Sequence, residues 1–158
     1  MIKTNAMRIL DQAGITYEVR VYEIDESDLS AERAADILGH EQERIFKTLM
    51  LRGDRSGPIL ALAPAGTEID LRALALASGD KRVEMVPLRE VRSLTGYERG
   101  AVTPLGIPRK YPVFIDETVE LWGIVGISAG KKGLEILLKP SDLLQVTEAK
   151  KEDFARSV

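Results

Sequence analysis

The chain has 158 residues, 22 Lys plus Arg against 25 Asp plus Glu for a formal charge of −3, one histidine and no cysteine. Without cysteine there is no disulfide framework, thiolate metal site or cysteine nucleophile; with His40 alone there is no multi-histidine zinc site, although carboxylate-only Mg²⁺ or Ca²⁺ sites stay open. At 30% charged and 44% hydrophobic residues, the composition is that of one soluble globular domain over 1–158, and a pI of about 5.3 argues against broad clamping of a nucleic-acid backbone while leaving a local basic patch open. Met1 to Leu10 lacks an apolar signal core, and no run approaches the ~20 apolar residues of a membrane helix.

Helices and strands alternate along the chain. Thr4 caps a helix carrying Met7, Ile9, Leu10 and Ala13, with Gly14 just past its end. Tyr17 to Ile24 alternates as a strand, but its apolar set changes phase between Val21 and Tyr22, as at a bulge or a strand covered on both sides. Ser30 caps a helix over Ala31 to Leu38 that Gly39 ends. Ile45 to Arg52 and Pro58 to Ala63 form a hairpin around Gly53-Asp54-Arg55-Ser56-Gly57. Asp70 caps a helix over Leu71 to Ser78, Arg82 to Val86 is a short strand, and Pro87 occupies the first position of a helix to Leu94. An irregular loop from Thr95 to Lys110 follows. Strands at Tyr111 to Ile115, Gly123 to Ile127 and Leu134 to Leu138 come next, the last two joined by the 129–133 turn. Pro140 opens a last helix through Leu144, and the polar tail after Lys150 is expected to fray. Short turns favour antiparallel neighbours, so the pattern predicts an α/β fold of the α+β type with a mixed, largely antiparallel sheet surrounded by helices.

Three places could carry chemistry. Lys47 shares a strand face with Ile45, Leu49 and Leu51, and an ammonium in an apolar row needs an acceptor or a wet cleft. It is either the floor of a pocket or an edge-strand lysine whose stem reaches water. The loop from Gly96 to Gly106 is rich in glycine, which lets backbone N–H groups approach an anion or a developing oxyanion; it equally suits a structural turn. Ser128-Ala129-Gly130-Lys131-Lys132-Gly133 puts two lysines between glycines. It lacks Walker A spacing, and is either a phosphate contact or a solvated hairpin turn. Tyr22 and Glu135 are polar wall candidates or surface residues. His40 reads as a surface helix-end residue, with no G-x-S-x-G elbow to serve, and Trp122 and Phe114 read as core.

Phe46-Lys47-Thr48-Leu49, Ile69-Asp70-Leu71, Lys81-Arg82-Val83-Glu84-Met85, Thr95-Gly96-Tyr97 with Gly100, Thr103-Pro104-Leu105-Gly106, and Ser128 through Leu138 occur in one order. This ordered set resembles the YbaK/ProX family of aminoacyl-tRNA deacylases, including its G-Y-x-x-G-x-x-x-P-x-G loop and S-G-G-K-x-G-L-[DE] segment. It most resembles the branch that removes cysteine from mischarged Cys-tRNA(Pro). The resemblance implies a partly barrel-like sheet with surrounding helices, and trans-editing in the cytoplasm at the aminoacylated acceptor end of tRNA(Pro), with prolyl-tRNA synthetase as a partner and no cofactor or metal. Size alone separates small amino acids by only ~1–3 kcal/mol, hence a second, editing site.

Carried over by motif, Lys47 would hold the substrate carbonyl or terminal ribose, and N–H groups of Gly100 and Ala101 would stabilise the oxyanion. Tyr22 and Tyr97 would wall the aminoacyl-adenosine end beside Thr103 and Pro104 of the loop. Ser128 and Glu135 would meet the amine or ribose, and Lys131 and Lys132 would contact phosphate. Glu135 stands where the family commonly has Asp, and Ala129 where it has Gly. With no cysteine of its own, such a site points to the substrate thiol attacking its own ester. Alternatives are a water-using deacylase for Ala-tRNA(Pro) or another small aminoacyl-tRNA, and a non-catalytic binding module for aminoacyl-tRNA or a small ligand.

Overall fold

The computed structural model describes residues 3–158; Met1 and Ile2, the start of the segment read for a signal sequence, lie outside the described residues. The helices are α1 (Asn5–Gln12), α2 (Ala31–Leu38), α3 (Leu71–Ser78), α4 (Leu88–Thr95) and α5 (Pro140–Thr147). The strands are β1 (Glu18–Val21), β2 (Phe46–Gly53), β3 (Gly57–Pro64), β4 (Thr67–Ile69), β5 (Val83–Met85), β6 (Val113–Asp116), β7 (Val125–Ser128), β8 (Leu134–Leu138), β9 (Lys150–Glu152) and β10 (Ala155–Ser157). Short 3-10 segments occupy Gln42–Arg44 and Glu117–Leu121.

Local chemistry sets most of these ends. Thr4, Ser30 and Asp70 each accept a backbone N–H three residues on, satisfying donors that a helix start leaves open. Gly39, Gly79 and Gly96 end α2, α3 and α4 in the left-handed conformation. Pro87 is extended and stands before α4 instead of inside it, and α5 runs past Leu144 to Thr147. The strand expected to reach Ile24 ends at Val21; the phase change in the sequence is the point where the chain leaves the sheet.

The strands form a five-stranded sheet in the order β5-β2-β3-β6-β9, a three-stranded sheet β1-β8-β7 and a ribbon β4-β10. Only β3–β6 and β6–β9 pair in parallel; the other ladders are antiparallel. This is the mixed α/β architecture expected, with the two larger sheets packed together in the core and, among the described residues, joined by one isolated parallel bridge between Ile45 and Gly126. β3 has core on both sides, which explains its unbroken apolar run. Leu60 and Leu62 face the main core with α1, α5 and the small sheet, whereas Ile59, Ala61 and Ala63 face a second cluster with Leu74 of α3.

The tail after Lys150 does not fray. β9 pairs with β6, β10 pairs with β4, and Phe154 between them is fully buried in the second cluster. Asp116 fixes the turn: one carboxylate oxygen accepts the N–H groups of Phe154 and Ala155 at 3.0 and 2.8 Å, and the other accepts from Thr118. Phe154→Ala is expected to destabilise the protein by about 3–5 kcal/mol, read as a lower denaturant midpoint at unchanged slope. A loss below about 1 kcal/mol would show that the tail is dispensable to the core.

Candidate functional site

The cleft arises because β2 is covered along one edge only in part. Met50 accepts a backbone hydrogen bond from Val86 on the side away from β3, so Thr48 and Phe46, two and four residues back, aim their backbone groups the same way. β5 pairs only with Leu51 to Gly53 on that side. On the other flank β7 touches the chain at Ile45 through the bridge with Gly126, and the pairing goes no further. Close approach there requires glycine: a Cβ on Gly126 would lie 2.6 Å from Ile45 Cδ1 and 3.2 Å from Glu135 Oε1. Beyond the bridge a cleft of about 320 Å³ opens. It is walled by Ile45–Leu49, by the start of α2 with Leu29 and Ser30 before it, and by Tyr22, Gly100, Val102, Ser128 and Glu135. That volume is in the range of small-molecule sites.

Lys47 sits in this cleft with its side chain 23% exposed. Its ammonium donates to the Thr67 carbonyl at 2.5 Å and to Glu32 Oε1 at 3.5 Å. Glu32 Oε1 also accepts the N–H of Gly66 at 2.6 Å. Burial pushes the Glu32 carboxyl up, but the Gly66 N–H, its own N–H and Lys47 outweigh this and hold it below the usual range.

The facing wall is the β7–β8 hairpin. Its register sets Ser128 directly opposite Glu135, so their side chains share a face. Ser128 Oγ accepts the Gly130 N–H at 3.2 Å. Glu135 is 4% exposed, and burial pushes its carboxyl up to about 8. Tyr22, half-buried beside it, is raised by burial first and by the Glu135 charge second. The methyl of Ala129 is fully buried in the main core and does not line the cleft.

The glycine loop divides between cleft and scaffold. Gly100 reaches the cleft at φ +84°, where an added Cβ would lie 3.1 Å from Leu29 Cβ. Ala101 is buried and its N–H is already bonded to the Glu98 carbonyl at 2.9 Å. Thr103 is fully buried with no partner for Oγ1 among the described residues, and neither it nor Pro104 lines the cleft. Tyr97 braces the loop from outside the cleft. Its hydroxyl donates to the Leu105 carbonyl at 2.5 Å, and its ring and hydroxyl fill the space beside Gly130 and Gly106, where a Cβ would come within 2.9 and 2.8 Å. Lys131 is exposed, and Lys132 stands 4.0 Å from Glu98. Both flank shallow recesses with Tyr22, Ile24 and Tyr97 next to the cleft.

Several cleft residues carried no signal in the sequence. Glu32 reads as an ordinary acid in the first turn of a helix, where the macrodipole already accounts for it. Leu29 and Val102 read as isolated apolar loop residues. His40 is half-buried at the end of α2, outside the cleft lining. Trp122 is half-buried with the Arg44 guanidinium 5.5 Å above its ring, while Phe114 is core.

Residues 26–146 match the family model described as the aminoacyl-tRNA editing domain. The chain belongs to that family. Every cleft residue except Tyr22 lies within the matched span. A relative from Enterococcus faecalis, provisionally named Cys-tRNA(Pro)/Cys-tRNA(Cys) deacylase EbsC, is 41% identical over 145 residues, 92% of this chain and 88% of its own. A crystal structure provisionally described as a trans-editing enzyme for prolyl tRNA synthetase has a TM-score of 0.81 at 26% identity, covering 99% of this chain and all of the other. The structure of hypothetical protein APE2540 shares the fold with a TM-score of 0.88 at 21% identity, over 97% of this chain and all of the other. Among the described residues of this editing domain, no helix is long and apolar enough to cross a membrane.

The raised carboxyl of Glu135 has a measurable consequence. Between the unfolded value near 4.5 and the folded value of about 8, the folded protein keeps a proton that the unfolded chain releases. Stability is therefore full below that window, falls as pH rises through it, and stays low above it. Glu135→Gln is expected to flatten the fall, raising Tm relative to wild type at pH 8.5 and leaving it nearly unchanged at pH 4. Parallel Tm profiles for the two proteins would mean that Glu135 ionises freely in the folded state.

Proposed function

We propose that this editing domain removes cysteine from mischarged Cys-tRNA(Pro), that the whole chain over 1–158 works as one unit, and that it acts in the cytoplasm on the product of prolyl-tRNA synthetase. The observation that carries the reading is one small cleft holding an anchored lysine on one wall and a Ser128–Glu135 pair on the other, in a chain of this family. The name of the Enterococcus relative favours cysteine as the amino acid.

In this reading Lys47 holds the ester carbonyl or the terminal ribose, and its fixed charge stabilises the developing oxyanion. The N–H of Gly100 is the backbone donor nearest that role; the N–H of Ala101 would have to leave the Glu98 carbonyl first. Tyr22 and Ser128 orient the aminoacyl end. Glu135, protonated at neutral pH when the cleft is empty, can donate to a carbonyl or ribose oxygen, or release its proton to solvent and pair as a carboxylate with an arriving ammonium. Tyr97, Thr103 and Pro104 act through the loop they shape. The substrate thiol attacks the ester carbonyl and forms a sulfur–carbon bond, the carbonyl–oxygen bond to the ribose breaks, the proton given up by the thiol ends on the 3′ oxygen, and a cyclic thiolactone leaves. An ester is already activated, so positioning and charge stabilisation suffice. The protein then grips only the acceptor end, with Lys131 and Lys132 as its phosphate contacts, and draws its selectivity for tRNA(Pro) from prolyl-tRNA synthetase.

A deacylation panel of Cys-, Ala-, Ser- and Pro-tRNA(Pro) tests the substrate. Fast release of cysteine with proline retained is expected; preference for alanine would make water the nucleophile, and binding without turnover would make the domain a capture module. Lys47→Ala should lower the rate by about 10²–10³ while the protein stays folded. Wild-type turnover by that variant would remove Lys47 from the reaction. With two phosphate contacts, log affinity should fall against log salt with a slope of roughly −1.5; a slope several times steeper would indicate a grip on the tRNA body.

A further inference from the structure

Glu32 is the one ionised group at the cleft that the motifs leave without a task. Its carboxylate does two things at once. Oε1 accepts the N–H of Gly66, which fastens the 64–67 turn to the start of α2, and the same oxygen receives the Lys47 ammonium. That turn carries the Thr67 carbonyl, the other acceptor for Lys47. Gly66 has φ +83°, and a Cβ there would lie 2.7 Å from Gln42 Oε1, so the turn is confined on its far side as well. An ammonium has three donors. Among the described residues two are occupied by acceptors on the cleft's rim, one of them charged and the other placed by it, which leaves the third for the cleft.

We propose that Glu32 is a positioning residue for editing: it aims the Lys47 ammonium at the reacting ester, directly through its charge and indirectly through the Gly66–Thr67 turn. The inference rests on the reading in which Lys47 touches substrate. A lysine stem has four rotatable carbons and would otherwise sample many directions, and a displacement of about 1 Å in such a group can cost about 10²-fold in rate. Glu32 itself touches no reacting atom in this arrangement. Its effect therefore passes through Lys47 alone, which distinguishes it from a general support of the fold.

Glu32→Gln preserves an oxygen acceptor for Gly66 and removes the charge. Single-turnover and steady-state cleavage of Cys-tRNA(Pro) are measured for Glu32→Gln, Lys47→Ala and the double variant, with thermal melting of each. Expected for Glu32→Gln are a wild-type Tm within about 2 °C, kcat lower by about 10-fold and KM within about 3-fold, since positioning acts on the transition state. In the Lys47→Ala background the same change should have no further effect on the rate. An equal fold-loss in both backgrounds, or wild-type kcat for a folded Glu32→Gln, would overturn the proposal. Glu32→Asp gives a second reading should Glu32→Gln fold poorly: it keeps the charge and shortens the arm, and it should recover part of kcat relative to Glu32→Ala. No recovery would count against the proposal. If Lys47→Ala itself retains full activity, the reading of the cleft fails; if only Glu32→Gln does, that reading stands and the positioning role alone is lost.

Discussion

The site depends on a strand that is paired along only part of one edge. β2 is fully zipped to β3, but on its other side β5 covers its last three residues and, among the described residues, β7 bonds to this segment only at the Ile45–Gly126 bridge. A longer ladder on either side would fill the space now open beside Phe46 to Leu49. Gly126 makes the bridge close enough to join two sheets, and the absence of further pairing beyond it makes the cleft. The second sheet then needs no long loop to complete the site. Its β7–β8 hairpin delivers Ser128 and Glu135 as cross-strand neighbours, and the chain leaving β1 delivers Tyr22.

Two carboxylates in this one cleft are set apart by their surroundings. Glu32 has a backbone donor and an ammonium beside it and stays ionised. Among the described residues Glu135 is buried without such partners, and it holds its proton to about pH 8. Unlike environments for like groups are a common basis for division of labour in a site, one group carrying charge and the other a proton. The ionised member sits on the Lys47 wall and the neutral member faces it; in the proposed reaction an entering ester would meet an anchored cation on one side and a hydrogen-bond donor on the other.

Much of this was legible in the sequence, for local reasons. Caps at Thr4, Ser30 and Asp70 and glycines at 39, 79 and 96 fix helix ends through their own hydrogen bonds and left-handed conformations. The two hairpin turns fix register, and through it the pairing of Ser128 with Glu135. Lys47 stood out because a charge interrupted an apolar row. What was missed depends on partners distant along the chain. The polar 150–158 tail is ordered by Asp116 and by burial of a single aromatic, Phe154, neither of which local propensity reveals. Tyr97 reads as a wall residue but spends its ring and hydroxyl on two glycines and a carbonyl of the loop. Glu32 hid behind an ordinary helix-start role. The two departures from the family pattern also separate only in three dimensions: Ala129 packs into the core, and Glu135 lines the cleft.

In the proposed reaction the protein supplies a cation, a proton-bearing acid and a shaped cleft, and the substrate supplies the nucleophile. Among the described residues no cysteine is present, the single histidine lies outside the cleft lining, and Ser128 is bonded to Gly130, not to an imidazole. The most direct measurement is single-turnover release from Cys-tRNA(Pro) and from its S-methylcysteine counterpart, with binding of both confirmed by competition. The blocked ester should bind and yet be released at least about 100-fold more slowly, because an intramolecular nucleophile has been removed. Release of the two at equal rates would contradict thiol attack and assign the reaction to water.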